Sequence, residues 1–124
     1  MYTYQARVTR VVDGDTFEAD VDLGFYMTCR MRFRLLGYNA PELTGKEKAH
    51  GELARTVLMS MLLGPWAVTI RTERGDSFGR WLASVELVDH SDAVSALIGG
   101  GWGVAWDGRG KRPEFDPNAE YPLR

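Results

Sequence analysis

The stretch Met27–Glu42, MTCRMRFRLLGYNAPE, constrains this chain more than any other. Met27, Cys29, Met31, Phe33 and Leu35 alternate with Thr28, Arg30, Arg32 and Arg34. A strand points successive side chains to opposite faces, so the alternation predicts a half-buried strand with arginines on its solvent face. Gly37 then permits a turn, and Pro41 confines Ala40 to extended or turn backbone. Asn39 and Glu42 flank that turn. The strand delivers an arginine, and the loop delivers an amide oxygen and a carboxylate, a combination suited to a metal ion and a phosphate. The plainer alternative is a solvated strand face followed by an ordinary Asn-Ala-Pro turn, since a short motif is specific only in its context.

The surrounding chain supplies that context. Tyr2 to Val12 alternates as a first strand, Asp13-Gly14 is a turn signal, and Phe17 to Leu23 alternates as a second strand. With the arginine strand this predicts an antiparallel meander. Asp13 and Asp15 share parity across the turn and offer the hard oxygens that divalent cations prefer; the alternative is a turn that simply favours aspartate. A polar loop, Leu43 to Lys48, leads into a helix predicted over His50 to Leu63. Its apolar stripe is Leu53, Val57 and Met61 with Ala54, Leu58 and Leu62 beside them, and Gly64-Pro65 stops it. A fourth strand spans Trp66 to Thr72. A fifth spans Gly79 to Leu87, with Trp81, Ala83, Val85 and Leu87 inward and Arg80 outward. Ser91 or Asp92 caps a short second helix through Ile98, and Trp102 to Trp106 is extended. This order predicts an α+β fold: a five-stranded OB-type barrel with two helices. Residues 1–106 form the barrel domain. Residues 107–124, rich in proline, form a tail or a strap over the surface.

Length and charge narrow the function. A chain of 124 residues with 44% apolar content suits one domain with a real core. Its 15 basic and 17 acidic residues give a net charge of −2, unlike a protein that coats nucleic acid non-specifically. A nucleic-acid partner would have to be gripped locally. The single cysteine, Cys29, falls on the apolar face of its strand and allows no intrachain disulfide, which leans towards the cytosol and leaves the compartment otherwise open. No apolar signal core stands at the N-terminus and no segment is long enough to span a membrane. His50 and His90 share no motif with the acidic residues, which argues against zinc. The Asp13–Thr16 turn lacks the further acidic positions of an EF-hand loop, and no serine sits in a nucleophile elbow.

Asp13-Gly14-Asp15-Thr16, the run from Arg34 through Asn39 to Pro41-Glu42, and Gly79-Arg80 occur in order, with a predicted helix between the second and third. Together they resemble the staphylococcal nuclease (thermonuclease) family, whose marks are a DGDT turn, an R-L-L-x-x-[DN]-x-P-E turn and a later G-R that opens a strand. The likeness runs from about Tyr4 to Trp106. It implies a calcium-dependent nuclease, with other divalent cations possible, that hydrolyses phosphodiester bonds of DNA or RNA with little sequence preference. Carried over by position, Asp15 matches the calcium-binding aspartate and Asp13 the supporting acid. Arg34 and Arg80 match the arginines that hold the scissile phosphate, and Glu42 the glutamate that orients or deprotonates the attacking water. Asn39 stands where the founding member has a second metal-binding aspartate. Ala40 replaces a threonine whose backbone carbonyl helps hold the metal. Trp106 matches an aromatic beside the substrate base, and Phe78 a phosphate-contacting tyrosine without its hydroxyl.

The departures matter. The neutral Asn39 weakens the metal site, Phe78 weakens the substrate grip, and the family's long C-terminal helix has no counterpart, which bears on barrel stability. The expected protein is a monomeric enzyme with nucleic acid as substrate and no membrane partner. The alternative is a barrel of the same fold that has lost catalysis and serves as a nucleic-acid-binding or protein-interaction module.

Overall fold

The computed structural model describes residues 2–73 and 80–123. The meander is present: β1 (Tyr2–Asp13), β2 (Thr16–Gly24) and β3 (Met27–Leu35) pair antiparallel in sequence. Then come β4 (Tyr38–Asn39), a 3-10 turn (Gly45–Glu47), α1 (Lys48–Leu62), β5 (Val68–Glu73), β6 (Trp81–Glu86), α2 (Ala93–Gly99) and β7 (Val104–Ala105). Five strands close a barrel in the order β1-β2-β3-β6-β5, with β3 and β6 parallel and β5 antiparallel to both β1 and β6. This is an α+β barrel of the OB type. No helix among the described residues is long and apolar enough to cross a membrane.

The core fills the barrel with the inward residues of each strand, among them Val8, Val11, Phe17, Ala19, Phe33, Leu35, Ile70 and Val85. Phe17 and Phe33 stack there at 5.5 Å between ring centres. Helix α1 adds Ala54, Leu58 and Leu62 as its buried line. The predicted stripe is thus rotated: Leu53 is 50% exposed, while Val57 and Met61 pack at the margin. Two further expectations are corrected. Cys29 and Met27 share parity with buried Phe33 and Leu35 yet are exposed, because among the described residues the first half of β3 pairs with β2 alone and its apolar face is left uncovered. Trp81, expected inward, is 42% exposed and lines an outer cavity. Asp92 caps α2 as expected, accepting from Ser95 N at 2.9 Å.

Two close approaches draw the later site together. A Cβ on Gly14 would lie 2.7 Å from the Ala40 methyl and 2.8 Å from that of Ala54, so only glycine lets the Asp13–Thr16 turn sit against both the post-β3 loop and α1. At Gly51 the helix backbone passes so near the Glu42 carbonyl that a Cβ would clash with it. The small sheet of β4 with β7 sets Tyr38 opposite Ala105 and Asn39 opposite Val104, and Trp106 N donates to Gly37 O at 3.0 Å.

The strap, residues 107–123, contains no helix and lies along the protein. Asn39 Nδ2 donates to the Pro113 carbonyl (3.2 Å), Phe115 N donates to Glu47 (3.1 Å), the Tyr121 ring stacks on His50 (4.6 Å between centres), and Leu123 N donates to Gly101 O (2.7 Å).

Candidate functional site

The turn between β1 and β2 is closed by its own side chain: Asp13 Oδ1 accepts from Asp15 N at 3.0 Å. Asp15 then faces inward. Its Oδ1 accepts from Thr16 Oγ1 (3.1 Å), and its Oδ2 from Ala40 N (3.1 Å) and Arg34 Nη2 (3.5 Å). Burial, and after it the negative charge of Asp13, push the Asp15 carboxyl up to about 7 against the opposing pull of Arg34 and the Ala40 N–H. Asp15 is thus a buried carboxyl beside a second carboxylate, with Arg34 at 3.5 Å as its ion-pair partner.

Arg34 leaves the outer face of β3, as its parity requires, but it does not reach open solvent. Its side chain is only 15% exposed. Nη2 donates to Tyr38 O (3.2 Å) and Asn39 Oδ1 (3.3 Å), and the Trp106 ring centre lies 5.3 Å from the guanidinium carbon. Its Nε is buried and finds no acceptor among the described residues, a state that usually costs free energy unless a ligand completes it. Arg80, just before β6, reaches the same turn and donates from Nη1 to Thr16 Oγ1 at 3.3 Å. The parallel register that sets Phe33 beside Trp81 and Arg34 beside Leu82 brings it there. Trp106 is held by its ring nitrogen, which donates to Arg109 O at 2.9 Å.

The loop after β4 completes the site in a way the sequence did not announce. Glu47, in the polar loop, is 5% exposed. It accepts from Glu42 N (3.0 Å), Phe115 N (3.1 Å) and both terminal nitrogens of Arg112 (2.8 and 3.2 Å). Those bonds, the ones from Arg112 first, hold its carboxyl down to about 2. Arg112 also donates from Nη2 to the Ala40 carbonyl at 3.0 Å, and its Nε lies 3.4 Å from Glu42 Oε1. Neither residue carried a sequence signal. A glutamate in a polar loop and an arginine in a proline-rich tail meet across a separation of 65 residues.

A pocket of about 370 Å³ opens among these groups. Each predicted site residue among the described ones lines it: Asp13, Asp15, Arg34, Asn39, Ala40, Glu42, Arg80 and Trp106, joined by Pro41 and Arg112. Phe78 lies outside the described residues. The lining alternates carboxylates with arginines. A larger cavity of about 670 Å³, lined by Tyr2, Leu23, Phe33 and Trp81 among others, is mostly apolar. It borders β1 and β2 at the ends away from the Asp13–Thr16 turn, so the larger cavity is not the one that the predicted site residues line.

The donors can be tested against a divalent cation. Asp13 and Asp15 are hard oxygen ligands side by side, and a cation would relieve the repulsion that raises Asp15. Asn39 Oδ1 already accepts from Arg34, and the Ala40 carbonyl from Arg112. Among the described residues no three histidine, cysteine or acidic side chains converge as a metal-binding group. Both Asp15 oxygens are likewise engaged, by Thr16, the Ala40 N–H and Arg34, so the described side chains make no cage of their own, and a cation at the aspartate pair would need water or other oxygens to complete its shell.

Compared with known proteins, the chain matches no family model and no curated protein.

Proposed function

We propose that this pocket hydrolyses phosphodiester bonds of DNA or RNA with little sequence preference, as a nuclease of the staphylococcal type that uses a divalent cation, calcium first. The observation that carries the reading is Arg34. It is a buried guanidinium with an unpaired Nε, set beside a carboxylate pair, an aromatic face and a second arginine in one pocket. Guanidinium forks match the oxygens of a phosphate, and buried donors aimed at developing charge are worth most in the transition state.

In this reading Arg34 and Arg80 bind the non-bridging oxygens and stabilise the charge that grows on them. Glu42, at the pocket rim with its side chain 55% exposed, takes the proton from the attacking water on its carboxylate. The Trp106 ring offers a face for a base, which needs no sequence readout. Asp13 and Asp15 would hold the cation, which supplies charge neutralisation and a more acidic water when bound.

A second reading, a barrel that binds nucleic acid or a protein without cleaving it, is favoured by one observation. Asn39 Oδ1 and the Ala40 carbonyl, both assigned by resemblance to the metal, are engaged by arginines. Incubation of plasmid and heat-denatured DNA, and of RNA, with calcium, magnesium or manganese separates the two. Cleavage that stops on chelation supports hydrolysis. Retention of the nucleic acid without cleavage under every cation supports the binding module.

A further inference from the structure

Resting on the hydrolytic reading, we propose that Arg112 and Glu47 are positioning residues that together fix the Glu42 carboxylate for its work on water. Glu47 holds Glu42 from behind, through the Glu42 backbone N–H at 3.0 Å. Arg112 holds it from the front, with Nε 3.4 Å from Glu42 Oε1. The two holders are themselves locked together by the paired bonds at 2.8 and 3.2 Å, and the Phe115 ring lies 5.9 Å from the Arg112 guanidinium carbon.

A guanidinium in such a pocket has another obvious use, direct grip on the phosphate. Its bonded partners argue against it. Arg112 donates from Nη1 to Glu47 and from Nη2 to Glu47 and the Ala40 carbonyl, and its Nε lies within ion-pair range of Glu42. An arginine has five N–H groups; here the two terminal nitrogens make three bonds to the protein, and Nε lies beside the Glu42 carboxylate. Arg34, by contrast, keeps a buried Nε without an acceptor among the described residues. The chain therefore divides its arginines: Arg34 faces the substrate, while Arg112 faces the base. The strap becomes part of the catalytic apparatus because it carries Arg112 at one end of a segment pinned by Asn39 and Glu47.

Two variants and one activity-independent readout test this. Arg112→Lys keeps a cation against Glu47 but cannot reach Glu47, the Ala40 carbonyl and Glu42 at once. It is expected to melt as a folded protein, with kcat lower by ~10- to 100-fold, the scale on which a misplaced catalytic group acts, and KM within about twofold, since uniform binding is untouched. Arg112→Gly is expected to regain kcat when ethylguanidinium is added, with KM unchanged and at a temperature where the variant is already fully folded, so that recovered folding does not account for the gain. Independently of turnover, the Arg112 Nε–H resonance of the wild type is expected to shift in Glu42→Gln. A raised KM with unchanged kcat in Arg112→Lys would make Arg112 a phosphate ligand and overturn the proposal, as would wild-type kcat. If the wild type cleaves no nucleic acid, the hydrolytic reading fails, and an Arg112 Nε–H signal indifferent to Glu42→Gln would then separately refute the contact.

Discussion

At the scale of single residues, Asn39 shows how far a side chain's identity can be read before its neighbours are known. By the resemblance it is a neutral substitute for a metal-binding aspartate, and on that reading adding charge there should tighten calcium binding. The structure gives the amide a task that aspartate cannot do. It is 1% exposed, accepts from Arg34 on Oδ1, and donates from Nδ2 to the Pro113 carbonyl. Asn39→Asp would turn an oxygen towards that carbonyl and bury a further carboxylate near Asp15. In metal-free buffer the variant should lose about 1–3 kcal/mol, the cost of an unsatisfied buried polar group, read as a lower urea midpoint at pH 7. Calcium should recover part of that loss, because a ligand that binds only the folded state stabilises it. An unchanged midpoint without metal would remove the strap contact from the account. Arg34 carries a similar lesson. Its parity correctly sends it outward, but Trp106 and the small β4–β7 sheet then cover it to 15% exposure. Alanine there would strip Asp15 of its partner as well as remove the donor proposed for the phosphate, so lysine is the cleaner probe of turnover.

At the scale of elements, the meander, the long helix and the capped short helix were legible because each carries a period or a cap in its own sequence. Cys29, Met27, Leu53 and Trp81 mark the boundary of that method. Periodicity reports which face a side chain shares, and says nothing about whether another element lies over that face. The strap had no period at all, and what it does depends on partners far away in the chain. The absence of a C-terminal helix was expected to touch only stability; here the segment in its place holds Arg112 at the pocket. Two predictions belong to this element. Truncation after Trp106 removes the Arg112 guanidinium and the Phe115 N–H from Glu47 together with the Pro113 contact of Asn39. A protein of residues 1–106 should therefore melt well below the full chain, and equal melting temperatures would contradict the role given to the strap. The second concerns acid. The carboxyl of Glu47 is depressed in the folded state to about 2 from 4.5, so its contribution is fully present above pH 4.5 and lost as pH falls towards 2. In Glu47→Gln the stability of the protein should fall less steeply across that window than in the wild type, and parallel acid limbs in urea titrations would refute it.

At the scale of the whole molecule, the barrel's closure explains why the motifs converge. The Asp13–Thr16 turn, the end of β3 and the start of β6 lie in one corner because β2 pairs with β3 and β3 pairs in parallel with β6. The resemblance named the residues of this corner, and eight of the nine lie in one pocket among the described residues. Glu47 and Arg112, which complete the corner, carried no motif. A net charge of −2 leaves any grip on an anion to local groups, and the pocket sets Arg34, Arg80 and Arg112 beside Asp13, Asp15 and Glu42. Hydrolysis with Glu42 as base, as proposed, is tested most directly by Glu42→Gln. The substitution keeps the shape of a rim side chain and removes its capacity to take a proton together with its charge beside Arg112. At saturating calcium, single-turnover cleavage of a DNA oligonucleotide should slow by ~10²- to 10⁴-fold, the usual contribution of a general base, while the melting temperature stays within a few degrees of wild type. Cleavage by Glu42→Gln at the wild-type rate would contradict the account.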